Sequence, residues 1–143
     1  MSSCVCWIVR RAARVLTRIY DEALAPCGLT SMQLGTLDAL SDMGVATLTQ
    51  LAESTGHERS ATWRGLQPLI TRGLVQRADA AGRADRYEIS PAGSDLLAAA
   101  MILWRTVQDD VLAGLGDDAA RLNAIVDKLD ALDRGGALKR AAE

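Results

Sequence analysis

The chain has 143 residues, 49% of them apolar and 24% charged, with three Trp, two Tyr, no Phe and a formal net charge of −2. That length suits one domain rather than two, and the scarcity of aromatics leaves a core of Leu, Ala, Val and Ile, as packed helices commonly have. The longest apolar run near the N-terminus, Val5 to Val9, is far short of the ~20 residues that span a bilayer and has no basic leader, so the expected address is cytoplasmic. The three cysteines (Cys4, Cys6, Cys27) are an odd number in a chain long enough to hold a core without staples, which argues against a secreted disulfide framework.

Apolar residues recur near the 3.6-residue period at Ile8, Ala12, Val15, Leu16, Ile19 and Ala23, predicting a first helix from Cys4 to Ala25 that ends at Pro26 and Gly28. Thr30 with Gln33 and Thr47 with Gln50 are capping-box signatures, each opening a short helix. A fourth helix is expected from about Glu58 to Arg72, with Gly73 as its stop and Pro68 inside it, where a lost hydrogen bond should kink it. Leu74 and Val75 suggest a strand, and Arg77 to Glu88, with Gly82 at its middle, reads as a hairpin. Ser90 followed by Pro91 starts a long helix running to about Leu112. A last helix from about Asp117 to Asp133 carries Leu122, Ile125, Val126, Leu129 and Leu132 on one stripe, and the tail after Gly135 is expected to fray.

This order is a mainly α chain with a winged helix-turn-helix pattern between long flanking helices. From His57 to Arg86 there are six Arg against three acids, a local charge of +3, whereas the other residues hold ten bases and fifteen acids, or −5. Basic charge therefore gathers on the fourth helix and the hairpin, where phosphate neutralisation would require it, although arginines can also simply solvate a surface. With Leu66 at the buried centre of the fourth helix and about 100° per residue, Thr62, Leu69 and Ile70 fall on the core side and Ser60, Ala61 and Arg64 point away. Arg64 is the best candidate for a base or phosphate contact, with Ser60 and Gln67 in support. Arg59 lies on the core side by angle but in the first turn, within reach of a phosphate. Trp63 sits on the flank, where packing competes with stacking on DNA. Arg86 adds a basic contact on the hairpin, and His57 reads as a surface residue.

The chain resembles the MarR family of bacterial transcription regulators over nearly its whole length. The likeness is carried by Gly28-Leu29-Thr30 with Gln33, by Leu48 to Glu53, by Gly73-Leu74-Val75 and by Ser90-Pro91-Ala92-Gly93, in order and at the family's spacing. The resemblance implies a single MarR-like domain over 1–143, with a winged DNA-binding lobe at 30–90 and dimerisation helices at 1–29 and 91–143. It implies a homodimer whose two lobes meet successive major grooves of double-stranded operator DNA. The family's wing carries Asp-x-Arg at its tip; Arg83 matches the arginine, as a minor-groove contact, while the aspartate position holds Ala81, leaving Asp79 or Asp85 as substitutes.

A repressor needs an input. Cys6, eight residues before Arg14, resembles the placement of the reactive cysteine in the peroxide-sensing branch of the family. Of that branch's three tyrosine positions Tyr20 is kept, while the others hold Arg10 and Ser31. Cys6 near a helix N-terminus with Arg10 one turn on has two features that favour thiolate reactivity; a small buried hydrophobe is the competing reading. Cys27 lies ~30 Å of helix away from Cys6 within one chain. The branch's partner-subunit tyrosines bracket its position, which implies a disulfide between Cys6 of one protomer and Cys27 of the other under oxidation, with Cys4 as a competing attacker. The wider family also responds to small aromatic or phenolic acids, for which Arg14 or Arg18 could supply a carboxylate partner. Alternatively Arg10, Arg14 and Arg18 are solvated, or pair with Asp127 and Asp130 of a partner's last helix.

No metal site or cofactor is expected, because Cys-x-Cys with a distant cysteine and a single histidine is not a zinc spacing. Nor is an enzyme, since there is no phosphate-cradling glycine loop and His57 is the only histidine. From a different class, a helical dimer that binds only protein partners would fit the composition but would need no basic hairpin.

Overall fold

The computed structural model describes residues 4–78 and 85–134. The elements in chain order are α1 (Val5–Leu24), a 3-10 turn (Ala25–Cys27), α2 (Ser31–Met43), β1 (Val45–Thr47), α3 (Leu48–Thr55), α4 (Arg59–Thr71), β2 (Val75–Arg77), β3 (Arg86–Ile89), α5 (Pro91–Leu115) and α6 (Asp118–Arg134). The chain divides into two compact units, residues 1–107 and 108–143, with α5 crossing the boundary.

Local chemistry explains where the elements begin. Thr30 Oγ1 accepts from the Gln33 amide at 3.2 Å while Gln33 Oε1 accepts from the Thr30 amide at 3.0 Å. The Thr47–Gln50 pair does the same for α3, at 3.2 and 2.9 Å, so each box satisfies two amide donors that a helix start otherwise leaves open. At the start of α5, Ser90 Oγ accepts from the Gly93 amide at 3.0 Å and donates to the Gly73 carbonyl at 2.6 Å. The cap therefore ties α5 to the turn after α4 as well as closing its own first turn.

In the first unit a core forms around Leu37, Leu40, Leu51, Leu66, Leu69 and Tyr87. Leu24 and Leu29 join it from one side and Leu97 and Ala100 from the other, so the core reaches beyond residues 30–90 at both ends. Periodicity shows that a helix has an apolar stripe; it does not show which stretch of that stripe meets the lobe. The sheet has the order β1-β3-β2, antiparallel throughout, with Ala46 opposite Tyr87 and Gln76 opposite Glu88. β1 had no sequence signal, because three residues are too few to display an alternation. Gly93 packs so closely that an added Cβ would overlap the Leu74 carbonyl oxygen and lie 2.8 Å from Ile89 Cγ1, which makes glycine the residue that lets the first turn of α5 lie against Leu74 and the end of β3.

α1 buries only Leu24; Val5, Trp7, Ile8, Val9 and Val15 are exposed. In the second unit α6 buries nothing, and Leu122, Ile125, Val126, Leu129 and Leu132 all face outward. Among the described residues no helix is long and apolar enough to cross a membrane.

Candidate nucleic-acid interface

α3 and α4 are joined through Gly56, whose left-handed φ of +67° suits glycine and turns the chain sharply between the two helices. α4 then inserts Thr62, Leu66 and Leu69 into the core. The side away from that core presents Ser60, Arg64 and Gln67 to solvent. Arg59, on the core side by angle, is nevertheless exposed because it opens the helix. It stands in the first turn, at the rim of an open hollow of about 600 Å³ shared with Thr47, Leu48, Thr49, Trp63, Asp85 and Tyr87.

Trp63 is half-buried against the core, its ring centroid 6.4 Å from that of Tyr87 at a 50° tilt. Burial pushes the Tyr87 hydroxyl above its ordinary pKa, neighbouring Asp85 adds to the shift and Arg77 opposes it, so the phenol stays neutral near pH 7. α4 runs through Pro68 as one element. The proline has no amide to offer the Arg64 carbonyl four residues earlier, so that carbonyl lacks its helical donor beside the exposed contact row.

The basic patch divides by role. Arg77 is bonded to Asp85 at 2.9 Å between the ends of β2 and β3, an exposed ion pair. Gln76 donates to Glu88 at 2.8 Å on the same pair of strands. Arg72 turns away from the row and donates to the carbonyls of Gly28 and Cys27 at 2.6 and 3.2 Å, a role that no local pattern could reveal. Arg59, Arg64 and Arg86 make no ion pair among the described residues and all three are exposed. Arg83, Ala81 at the aspartate position and the substitute Asp79 lie outside the described residues; the other substitute, Asp85, is the partner of Arg77.

The model of the MarR family matches residues 28–84. The transcriptional regulator MosR of M. tuberculosis is 36% identical, with 92% of this chain and 97% of that one covered at a TM-score of 0.81. The chain belongs to the MarR family. It is a winged helix DNA-binding transcriptional regulator, not an enzyme. MosR in complex with DNA superposes over 92% of this chain and 98% of that one, at 37% identity and a TM-score of 0.80. BpsR of Bordetella bronchiseptica, whose DNA binding is regulated by 6-hydroxynicotinic acid, is 20% identical over 90% of this chain and 96% of that one, a likeness of fold with a TM-score of 0.79. Comparison with curated protein sequences gives no match.

Within one protomer of this MarR-family chain the candidate sensing residues are spread along α1 and the turn after it. Cys4 is the N-cap of α1 and Cys6 lies in its first turn, both exposed, while Cys27 lies in the 3-10 turn and packs partly against the core. Arg10 and Arg14 are exposed, and Tyr20 is half-buried with its hydroxyl pushed up by desolvation. Ser31 donates its amide and hydroxyl to Asp21 Oδ1, both at 2.7 Å, pinning the end of α1 to the start of α2. Among the described residues no group of three His, Cys, Asp or Glu is arranged to hold a metal ion.

Proposed function

We propose that the chain is a homodimeric repressor that reads operator DNA with α4 and is released by thiol oxidation centred on Cys6. The observation that carries the DNA-reading part is the row of Arg59, Ser60, Arg64 and Gln67, solvent-facing on a helix whose other side is locked into the core by Thr62, Leu66 and Leu69. Arg64 takes a guanine edge or a phosphate, Ser60 and Gln67 support it, Arg59 and Arg86 neutralise phosphates, and Arg83 enters the minor groove. Trp63 flanks these contacts while packing on Tyr87. The existence of MosR in complex with DNA at 37% identity favours this reading. Operator DNA sets the site of action in the cytoplasm.

Dimerisation accounts for the apolar residues left exposed on α1 and α6, which water would penalise and a second copy would cover. On oxidation the Cys6 thiolate of the reduced protein attacks an organic hydroperoxide, the O–O bond breaking as the S–O bond forms, and with one proton taken up this gives a sulfenic acid and an alcohol. The partner's Cys27 thiol then condenses with the sulfenic acid, forming a disulfide and releasing water. Arg10 lies one turn from Cys6 on α1, and Arg14 and Tyr20 lie about 12 and 21 Å from it along the helix, so those two act on a thiol of the second protomer rather than on their own. A second input is favoured by one observation, an open hollow of about 700 Å³ along α1 lined by Arg14, Thr17, Arg18 and Asp21 among others, which suits a small aromatic acid with Arg14 on its carboxylate.

Fluorescence anisotropy on the DNA upstream of the gene tests all of this. Under dithiothreitol the protein should bind that DNA above random DNA with a steep salt dependence, and Arg64→Ala should weaken it by about 1–3 kcal/mol. Hydroperoxide should release it reversibly, and Cys6→Ser should abolish the release. Binding indifferent to oxidant retires the thiol switch in favour of the aromatic acid. No preference for upstream DNA under any condition overturns the operator reading.

A further inference from the structure

Arg72 is the C-cap of α4, and the chain reverses immediately after it. The Gly73 amide donates to Ile70 and the Leu74 amide to Leu69, both at 2.9 Å, with Gly73 at a φ of +71°. This is a Schellman motif, and it satisfies the last carbonyls of α4 from within the backbone. The Arg72 side chain is thereby left for a distant task. Its two terminal nitrogens reach successive carbonyls of Cys27 and Gly28, 45 and 44 residues away in sequence, at the end of the 3-10 turn. A cation forked across two carbonyls where a helical turn ends is favourable both as hydrogen bonding and as charge against the helix terminus. Gly28 sits there at a φ of +63°, where any side chain is strained, while a Cβ on it would stand 3.4 Å from the guanidinium, in ordinary van der Waals contact.

The same junction is fastened to α1 by Asp21 on Ser31, at 2.7 Å twice. The end of α4 is thus bonded to the segment through which α1 passes into α2. Arg64 and Arg72 are eight residues apart along one continuous helix and its cap, about 12 Å of rise, so a displaced C-terminal anchor shifts the contact row with it.

We propose that Arg72 is a positioning residue for operator binding, its fork on the Cys27 and Gly28 carbonyls fixing α4 against the α1–α2 junction, and that it is not a phosphate contact. This rests on α4 being the DNA-reading helix. The test compares Arg72→Lys, Arg72→Gln and Gly28→Ala with the unaltered protein on operator and random DNA across a salt series, with hydrogen exchange of residues 27–31 and 69–74 as a readout independent of DNA. Lysine keeps the charge but lacks the planar fork that holds both carbonyls from two nitrogens in a fixed geometry. All three variants should therefore lose operator affinity about tenfold, keep random-DNA affinity and salt slope, and exchange faster in both segments. Full operator affinity in Arg72→Lys, with Arg72→Gln weakened on both DNAs and its salt slope lower by about one, would instead make Arg72 a phosphate contact and overturn the proposal. Unchanged exchange in both segments overturns it as well. If Arg72→Gln fails to fold, the other two variants decide. If the unaltered protein shows no operator preference, the reading of α4 as a DNA helix falls and the exchange data alone judge the anchor.

Discussion

Gly93→Ala adds one methyl group at the most tightly packed of the described glycines. The new Cβ would overlap the Leu74 carbonyl oxygen and stand 2.8 Å from Ile89 Cγ1 and 3.0 Å from the Leu74 carbonyl carbon. Two of these three atoms are backbone, so no rotamer change relieves the overlap and the first turn of α5 must retreat. The retreat stretches the Ser90 hydroxyl between its two partners, the Gly73 carbonyl at 2.6 Å and the Gly93 amide at 3.0 Å. Overpacking of this kind costs about 1–3 kcal/mol and a weakened cap about 1 kcal/mol more. Replacing a helical glycine by alanine returns about 1 kcal/mol through backbone entropy. The net loss is about 1–3 kcal/mol, or roughly 3–10 °C in melting temperature for a chain of this size. Far-UV circular dichroism at fixed protomer concentration would measure it, with Ser90→Ala isolating the cap. A melting temperature for Gly93→Ala at or above that of the unaltered protein would refute the reasoning, because the entropy gain would then exceed any cost of close approach.

Thr47→Ala removes the hydroxyl that receives the Gln50 amide and should cost about 1 kcal/mol in urea unfolding; a change under a few tenths would mean that water replaces the cap at no loss. Burial holds the hydroxyls of Tyr20 and Tyr87 above the ordinary value of 10.0. Because the folded state binds these protons more tightly than the unfolded state, the stability they lend is whole below pH 10 and falls as pH climbs through the raised values. The urea midpoint should thus be level from about pH 7 to 9 and drop above about pH 10, less steeply in Tyr20→Phe/Tyr87→Phe; an equal drop in both proteins would assign the alkaline loss to other groups.

Much of this regulator is written in signals that act within a few residues. Each capping box joins residues three apart, Ser90-Pro91 marks a start by itself, and Gly56 and Gly73 mark stops because their φ angles suit no side chain well. The exposed row of α4 followed in the same way from the angle between successive residues, with Arg59 the exception because the first turn of a helix borders an opening that helical geometry does not contain. Composition, periodicity and breakers together therefore determined a mainly α chain and the order of its elements except β1, and the MarR-type plan followed from the resemblance of its motifs.

The arginines show what lay beyond that reach. All six between His57 and Arg86 look alike in sequence as positive charge beside a helix and hairpin. Only the fold separates Arg77, neutralised by Asp85 eight residues on, and Arg72, committed to carbonyls more than forty residues back, from Arg59, Arg64 and Arg86. The same holds for β1, which is a strand only because β3 offers it hydrogen-bond partners, and for Gly93, whose necessity comes from the Leu74 carbonyl arriving from another element. Local free-energy preferences are properties of a short stretch of chain and can be read from it. Partners that meet across forty residues exist only once the core around Leu37, Leu66 and Leu69 has brought their elements together, so tertiary packing decided which charges remain free to act.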